Sequence, residues 1–250
     1  MGEKIIYTRG DDCGISISTN LAIYSACKYG ILKNISLIPV SPYIKRSYAI
    51  LNEFEDISFG LHITLTCEWK NIKWGPILDK DKVSSLVDEN GYFYPDGKTM
   101  FEKKVNRKDM EKEIEAQLEY LESIGFKISY VDIHMGIGWV NNIEEFVVEL
   151  CKKKKIVFVD KLYKKFPDHN FNYKKFLNNL ENLENGEYLL ITHPTIHTIE
   201  KNLYSTYWEN SNSIIEKRTF DFTILTDDTV KEVIKRKKIK LKRFEKGVGE

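Results

Sequence analysis

The chain has 250 residues, of which 42% are hydrophobic and 30% charged, with six prolines. This is the composition of an ordinary folded protein, and it excludes a disordered or fibrous chain. The 38 Lys and Arg residues nearly balance the 37 Asp and Glu residues, so we expect neither nucleic acid nor a membrane surface as a partner. This length suits one α/β barrel, and the sequence predicts a single domain over residues 1–250.

The four cysteines are far apart and form no CxxC pair, and the N-terminus enters a strand-like run without the apolar core of a signal peptide. These features predict a cytoplasmic protein. The basic run KRKKIKLKRF at 235–244 is interpreted as solvated surface, because no nucleic-acid-binding motif accompanies it. The sequence leaves a homo-oligomer open.

Short β-branched runs alternate with longer segments of helical period, which is typical of βαβ units and a mostly parallel sheet. We therefore predict a (β/α) barrel that resembles a TIM barrel but is irregular. Strands are predicted at 5–8, 36–40, 58–64, 130–133, 156–159, 188–192 and 223–225. Helices are predicted near 18–29, 43–54, 109–124, 143–154, 173–184 and 229–237. The third helix should begin at Asp109, as N-cap, and stop at Gly125.

The stretch from about 66 to 106 interrupts this alternation after the third strand and carries turn signals at 88–91 and 95–97. We predict an inserted excursion that covers one side of the site. Its aromatic residues could contact a bound substrate, and Trp74 is the candidate for that role. They could equally form a small core of the excursion itself. The residues concerned are Trp69, Trp74, Tyr92, Phe93 and Tyr94.

Polar motifs follow four of the predicted strands: IIYTRGDDCG, ISFGLHITLT, ISYVDIHMG and YLLITHP. In a parallel α/β barrel the carboxyl ends of all strands open on one face. The motifs should therefore bring together Asp11, Asp12, His62, His134 and His193.

One carboxylate and two imidazoles suit a catalytic divalent metal, and we predict Asp12, His62 and His134 as the ligands. Asp11 could then take the proton of a water molecule, and His193 could supply an acid for a leaving amine. Each residue also has a structural interpretation. The acidic pair could stabilise a turn or cap a helix, and His62 could be a buried structural histidine. Separate structural roles at four strand ends would be a coincidence, so the pattern favours a shared site.

The segments RGDDCG, GLHITLT, VDIHMG and THP resemble the sequential motifs of the YdjC-like family of carbohydrate deacetylases, usually written NADDFG, GLHLTLT, DSHxH and HPG. Residues 74–97 and 216–227 resemble further segments of that family. The resemblance thus covers nearly the whole chain. Departures are Arg9 and Gly10 for Asn and Ala, Cys13 for Phe, Gly136 for the second His, and Thr195 for Gly.

The resemblance implies an irregular (β/α) barrel that removes acetyl groups from N-acetylated amino sugars or small chitin-type oligosaccharides, with magnesium as cofactor. It implies the same three metal ligands, proton transfer by Asp11, and an acid or stabilising role for His193. Arg218 could brace a carboxylate at the site, as the resemblance suggests, or form a surface ion pair. Two imidazoles, by contrast, favour zinc or another transition metal. We therefore predict a divalent cation without choosing one.

The expected partner is a small acetylated saccharide. The excursion should restrict the substrate to small saccharides, and the aromatic face of Trp74 could pack against a sugar ring. Two other functions remain open, because a fold does not fix a reaction. One is metal-assisted hydrolysis of another amide or of a phosphoester. The other is sugar binding without catalysis on the same barrel.

Overall fold

The computed structural model describes residues 2–197 and 199–245. In this part of the chain, eight strands form one sheet in the order β5-β4-β3-β2-β1-β7-β6, with β8 added beside β1. All of the strand pairs within the described residues are parallel. The strands are β1 (Lys4–Cys13), β2 (Asn34–Leu37), β3 (Ser58–Ile63), β4 (Ile128–Ile133), β5 (Val157–Phe158), β6 (Lys164–Lys165), β7 (Gly186–Thr192) and β8 (Lys240–Leu241).

The central strands β2 and β3 are buried along their whole length, as expected where helices cover a parallel sheet. The sheet curls as in the predicted (β/α) barrel. It is an irregular barrel, because β5 and β6 end the sheet and do not pair with each other in the described part of the chain.

Helices lie between the strands, and most begin at a residue whose side chain accepts a hydrogen bond from the first turn. Ser16 caps α1 in this way, through the backbone N–H of Thr19 at 3.0 Å. The helices are α1 (Ile17–Tyr29), α2 (Ile44–Leu51), α3 (Gly97–Glu102), α4 (Arg107–Ile124), α5 (Ile143–Lys154), α6 (Tyr173–Glu181), α7 (Ser211–Thr226) and α8 (Asp228–Arg236). Among the described residues, no helix combines the length and apolar character needed to cross a bilayer.

The ends of α4 show one correct and one wrong prediction. Gly125 ends the helix with φ +117°, a left-handed conformation that glycine adopts at little cost. The N-cap is Asn106 and not Asp109, which lies in the first turn and accepts a hydrogen bond from the Ser85 hydroxyl at 2.7 Å. This hydrogen bond thus connects the excursion, through Ser85, to α4.

The strand predicted at 223–225 is wrong, because these residues belong to α7. The buried face of α7 includes Arg218 and Asp221 between apolar residues. These two charged residues interrupt the apolar helical period that would have identified the helix. The strands β6 and β8 were missed because two residues are too few to show a period.

The excursion after β3 folds against α4 and builds a small core of its own. The Glu113 carboxylate of α4 accepts the backbone N–H groups of Ile77 and Leu78 at 2.8 and 3.1 Å. Trp74 and Phe93 are both buried, and the Phe93 N–H donates to the Trp74 carbonyl at 3.1 Å. The excursion after β3 is therefore attached to the barrel through α4.

Candidate active site

The carboxyl ends of β1, β3, β4 and β7 surround one cavity of about 400 Å³. Helix α7 closes one side of it, and the first residues of the excursion close another. Six of the seven residues predicted to carry metal binding, catalysis or substrate contact line this cavity: Asp11, Asp12, His62, His134, His193 and Arg218.

Asp11 and Asp12 both reach the cavity because β1 is irregular at this point. Successive side chains of a regular strand point to opposite faces. Here the pairing with β2 advances three residues on β1, from Gly10 to Cys13, but only two on β2. Asp12 takes the left-handed conformation, with φ +63°, which Asp tolerates better than most residues. A bulge of this kind re-aims side chains, so two adjacent carboxylates serve one site.

Asp12, His62 and His134 present three buried ligand atoms to one point. His62 Nε2 lies 3.0 Å from His134 Nδ1 and 3.6 Å from Asp12 Oδ1, and His134 Nδ1 lies 3.5 Å from Asp12 Oδ1. Atoms about 2.0–2.2 Å from a shared ion have roughly this separation. Asp12 Oδ1 is buried without a hydrogen-bond partner in the described residues. These three residues therefore fit a divalent cation.

The far side of each imidazole is held by a carboxylate. His62 Nδ1 lies 2.5 Å from Asp132 Oδ2, and His134 Nε2 lies 3.1 Å from both carboxylate oxygens of Glu68. Each carboxylate accepts an N–H and so turns the lone pair of the other ring nitrogen toward the cation site, as is common around metal-bound histidines. Burial lowers the pKa of His62, but Asp132, Asp12 and Asp11 outweigh burial and raise this pKa well above its usual value. The pocket thus attracts positive charge.

Arg218 holds the other oxygen of Asp12. Its guanidinium donates to Asp12 Oδ2 and lies 5.2 Å from the ring centroid of Trp69 and 5.5 Å from that of Tyr204. Burial raises the pKa of Asp12, but the charge of Arg218 outweighs it and keeps this pKa well below its usual range. Arg218 Nη1 is buried with no partner among the described residues. Arg218 therefore fixes the carboxylate and keeps an N–H group for another acceptor.

Arg9 holds Asp11 in a fixed orientation. Its Nε and Nη2 donate to the two oxygens of Asp11 at 2.7 and 2.8 Å, and Nη2 lies 3.3 Å from Asp132. Asp11, His62 and Asp132 also lie close enough to form a second group of metal-type ligands. Arg9 already pairs with both carboxylates of this second group, by two hydrogen bonds to Asp11 and an ion pair with Asp132. The favoured cation site is therefore the one at Asp12.

His193 follows β7, and its backbone N–H donates to Asp221 Oδ2 at 2.7 Å. Burial lowers the pKa of the His193 imidazole. The Asp221 carboxyl is itself buried, and burial raises its pKa to about 7. Both side chains line the cavity, so a carboxyl group that can hold or release a proton near neutral pH lies in the same cavity as the His193 imidazole.

The sequence profile of the family described as "YdjC-like protein" matches residues 6–236. The chain belongs to this family. A carbohydrate deacetylase from Thermoanaerobacter pseudethanolicus is 26% identical over 96% of the chain and 98% of its own length. A carbohydrate deacetylase from Enterococcus faecalis is 30% identical over 56% of the chain and 52% of its own length.

A crystal structure from Enterococcus faecalis, described as a candidate cellobiose-phosphate cleavage protein, aligns with 97% of this YdjC-like chain and 98% of its own. The TM-score is 0.78 and the sequence identity 24%. This likeness confirms the fold predicted for the chain.

Two features of this YdjC-like chain differ from expectation. Trp74, the predicted sugar contact, is 3% exposed and lies outside the cavity lining, and its indole N–H donates to the Thr66 carbonyl at 2.8 Å. The structure does not support a substrate contact there, because the excursion uses this ring for its own core. Gly136, which replaces the second His of the motif, has φ +60° and open space where a side chain would begin.

Sequence reasoning missed several residues of the site. Asp132 sits inside an apolar strand and is the register partner of His62 on β3, and a polar residue in such a run was a usable signal. Arg9 lies two residues before Asp11 and so on the same side of β1, which also could have been noticed. Glu68 and Asp221 carried no signal, since one lies in an irregular segment and the other in a helix that the sequence did not reveal.

Proposed function

We propose that this YdjC-like chain is a metal-dependent hydrolase that removes acetyl groups from N-acetylated amino sugars or small oligosaccharides of chitin type. The observation that carries the proposal is the buried set Asp12, His62 and His134 beside the oriented carboxylate of Asp11 in one cavity. The curated relatives from two bacteria are carbohydrate deacetylases, which supports an acetylated saccharide as substrate.

Asp12 Oδ1, His62 Nε2 and His134 Nδ1 would hold the divalent cation. When bound, such a cation polarises an acyl carbonyl and makes a water molecule more acidic. The two imidazoles favour zinc or another transition metal on ligand chemistry, whereas the family resemblance favours magnesium. The proposal therefore specifies a divalent cation only.

The chain's own residues would carry the proton transfers. Asp11, kept in place by Arg9, accepts a proton from water as the water oxygen attacks the acetyl carbon. The C–N bond then breaks, acetate leaves with the water oxygen, and the amine takes up a proton. His193 lies in the same cavity, where it would protonate the amine or stabilise the tetrahedral intermediate.

Arg218 would act on both the protein and the substrate. Its bond to Asp12 keeps that carboxylate ionised and oriented, and its unpartnered Nη1 could donate to a substrate oxygen. Beside Arg218, Glu68 and Trp69 are the residues of the excursion that line the cavity among the described residues. Because this wall is ordered, we propose that it limits the substrate to small saccharides.

Acetate release from N-acetylglucosamine and di-N-acetylchitobiose tests the proposal. We expect release by the metal-loaded protein, loss of release after chelation, and recovery on adding Zn²⁺, Co²⁺ or Mg²⁺. The variant Asp11→Asn, which keeps all three ligands, is the matched inactive control. Phosphate release from a sugar phosphate would instead indicate phosphoester hydrolysis, and saccharide binding without turnover by the metal-loaded protein would indicate a binding protein.

We also retain the cytoplasm as the proposed location. Cys13, Cys67 and Cys151 are buried free thiols, and Cys27 is a partly buried one, as is usual in a reducing compartment.

A further inference from the structure

The mouth of the cavity carries large apolar side chains that the proposed chemistry does not use. Trp208, Phe171 and Met135 line the cavity and are 54%, 46% and 45% exposed. Asp12 and His134, by contrast, are 1% and 4% exposed at its floor. Exposed apolar groups gathered at one place on a protein usually mark a binding surface.

Trp208 is held on a tight turn. The Thr206 backbone N–H donates to the Glu209 carbonyl at 3.0 Å, and the Thr206 hydroxyl accepts the Glu209 N–H at 3.0 Å. Thr206 also pairs with Trp69 in an antiparallel bridge, which joins the turn to the excursion. Within the described residues, the indole N–H of Trp208 has no hydrogen-bond partner. The turn thus holds the Trp208 backbone at the mouth and leaves the indole N–H free to bind.

Polar groups lie beside these rings. Lys217 donates to the Glu209 carboxylate, which also accepts from the Ser213 hydroxyl. The Lys217 ammonium lies 5.9 Å from the ring centroid of Phe171. Glu209 and Lys217 both line the cavity and remain partly exposed. The mouth therefore combines aromatic faces with polar groups that can still donate or accept hydrogen bonds. This combination matches a pyranose ring, which has an apolar C–H face and hydroxyl groups at its edge.

We propose that Trp208, Phe171 and the Glu209–Lys217 pair form a subsite for a second pyranose unit of the substrate. The inference rests on the proposed function, which places the reacting amide at the floor beside Asp12. A sugar ring that stacks on Trp208 at the mouth is then the neighbouring unit and not the one that loses its acetyl group. The subsite makes the protein prefer a disaccharide to a monosaccharide.

Binding of di-N-acetylchitobiose and of N-acetylglucosamine, measured by calorimetry on metal-free protein, tests the subsite without turnover. We expect Trp208→Ala to weaken disaccharide binding about tenfold, to leave monosaccharide binding unchanged, and to keep the melting temperature. Trp208→Phe should restore most of the affinity. The matched control is Trp139→Ala, since Trp139 is equally exposed, at 56%, but lies outside the cavity lining.

Two results would overturn the subsite: disaccharide binding by Trp208→Ala at wild-type strength, or equal weakening for both sugars. Failure of the wild-type protein to prefer the disaccharide would overturn it as well. The experiments distinguish failure of the subsite from failure of the proposed function. Disaccharide binding that depends on Trp208, without acetate release by the metal-loaded protein, would refute the deacetylase and keep the subsite. Acetate release together with disaccharide binding that does not depend on Trp208 would refute the subsite and keep the deacetylase.

Discussion

Asp132 accepts a hydrogen bond from His62 across two neighbouring strands, with Oδ2 2.5 Å from Nδ1. The two residues are register partners on β3 and β4, so the sheet itself sets this contact. Asp132 also accepts from the Ser36 hydroxyl at 2.8 Å and is fully buried. The carboxylate therefore cannot move away, and the His62 ring keeps its Nε2 directed at the cation site.

Replacing this carboxylate should weaken the cation site without removing a ligand. We expect Asp132→Asn to lower metal affinity about 10- to 100-fold, because the His62 ring loses the negative partner that orients it and makes it more basic. Competition with a chelator measures this affinity. Asp168→Asn, which removes an exposed carboxylate elsewhere, should bind metal as the wild type does. Wild-type affinity in Asp132→Asn would contradict the role given to Asp132.

Glu68 makes the same contact to His134 from the excursion, so metal binding should be coupled to that segment. We expect metal to slow hydrogen exchange of the backbone amides around 66–74, because a bound cation fixes His134 and His134 fixes Glu68. Mass spectrometry with and without metal checks this. In Glu68→Ala the protection should disappear, while exchange in α8 should be the same in both proteins. Equal exchange around 66–74 with and without metal would exclude the coupling.

The sequence predicted the core strands and the residues at their ends because both follow from short-range patterns. Runs such as ISFGLHI are apolar and β-branched, and a His at the end of such a run is conspicuous. The parallel topology then places His62 and His134 at the same edge of the sheet. This reasoning also located Asp12, although not the bulge that turns Asp12 into the cavity.

What the sequence could not predict depends on contacts between distant segments. Asp221 reaches the cavity only because α7 packs there, and the polar residues on the buried face of α7 hid its helical period. Trp74 and Trp69 are both aromatic residues of the excursion, yet only Trp69 lines the cavity. Which of the two turns inward depends on packing against α4 and on the bridge to Thr206. Composition alone carries no such information.

Asp11 should be needed for turnover and not for metal binding. Its carboxylate is held by Arg9 and provides none of the three ligand atoms at the Asp12 site. We expect Asp11→Asn to lower kcat about 100- to 10,000-fold, as for loss of a general base, with metal occupancy unchanged. Asp12→Asn should lose the metal. Equal metal loss in the two variants would show that the aspartates do not divide these roles.

The buried carboxyl of Asp221 should make the stability of the metal-free protein depend on pH. Its pKa is about 7 in the folded chain, against about 3.9 in an unfolded one. Between these values the folded chain keeps a proton that the unfolded chain has released, so the free energy of unfolding falls as pH rises through this window and stays low above about pH 7.

Asp221→Asn stays neutral at every pH and avoids this loss. We therefore expect its melting temperature, relative to the wild type, to increase from about pH 4.5 to about pH 8. Thermal unfolding in the presence of a chelator measures the difference. Asp168→Asn, an exposed site, provides the comparison and should show little pH-dependent difference. A difference between Asp221→Asn and the wild type that does not change with pH would contradict the prediction.

His193 should act in the reaction and not in metal binding. Its imidazole lines the cavity but does not belong to the cluster of ligand atoms formed by Asp12, His62 and His134. The contact that anchors this residue is its backbone N–H to Asp221, which alanine retains. His193→Ala therefore removes the imidazole and leaves the local backbone in place.

We expect His193→Ala to lower kcat about 100- to 10,000-fold with full metal occupancy, because the imidazole serves groups that arise only along the reaction path. The matched control is His197→Ala, which removes an exposed imidazole four residues further along the chain and should keep wild-type kcat. Steady-state kinetics and metal analysis on the same samples separate the outcomes. Loss of metal would make His193 a ligand, and a kcat near the wild-type value with full metal occupancy would remove His193 from the mechanism.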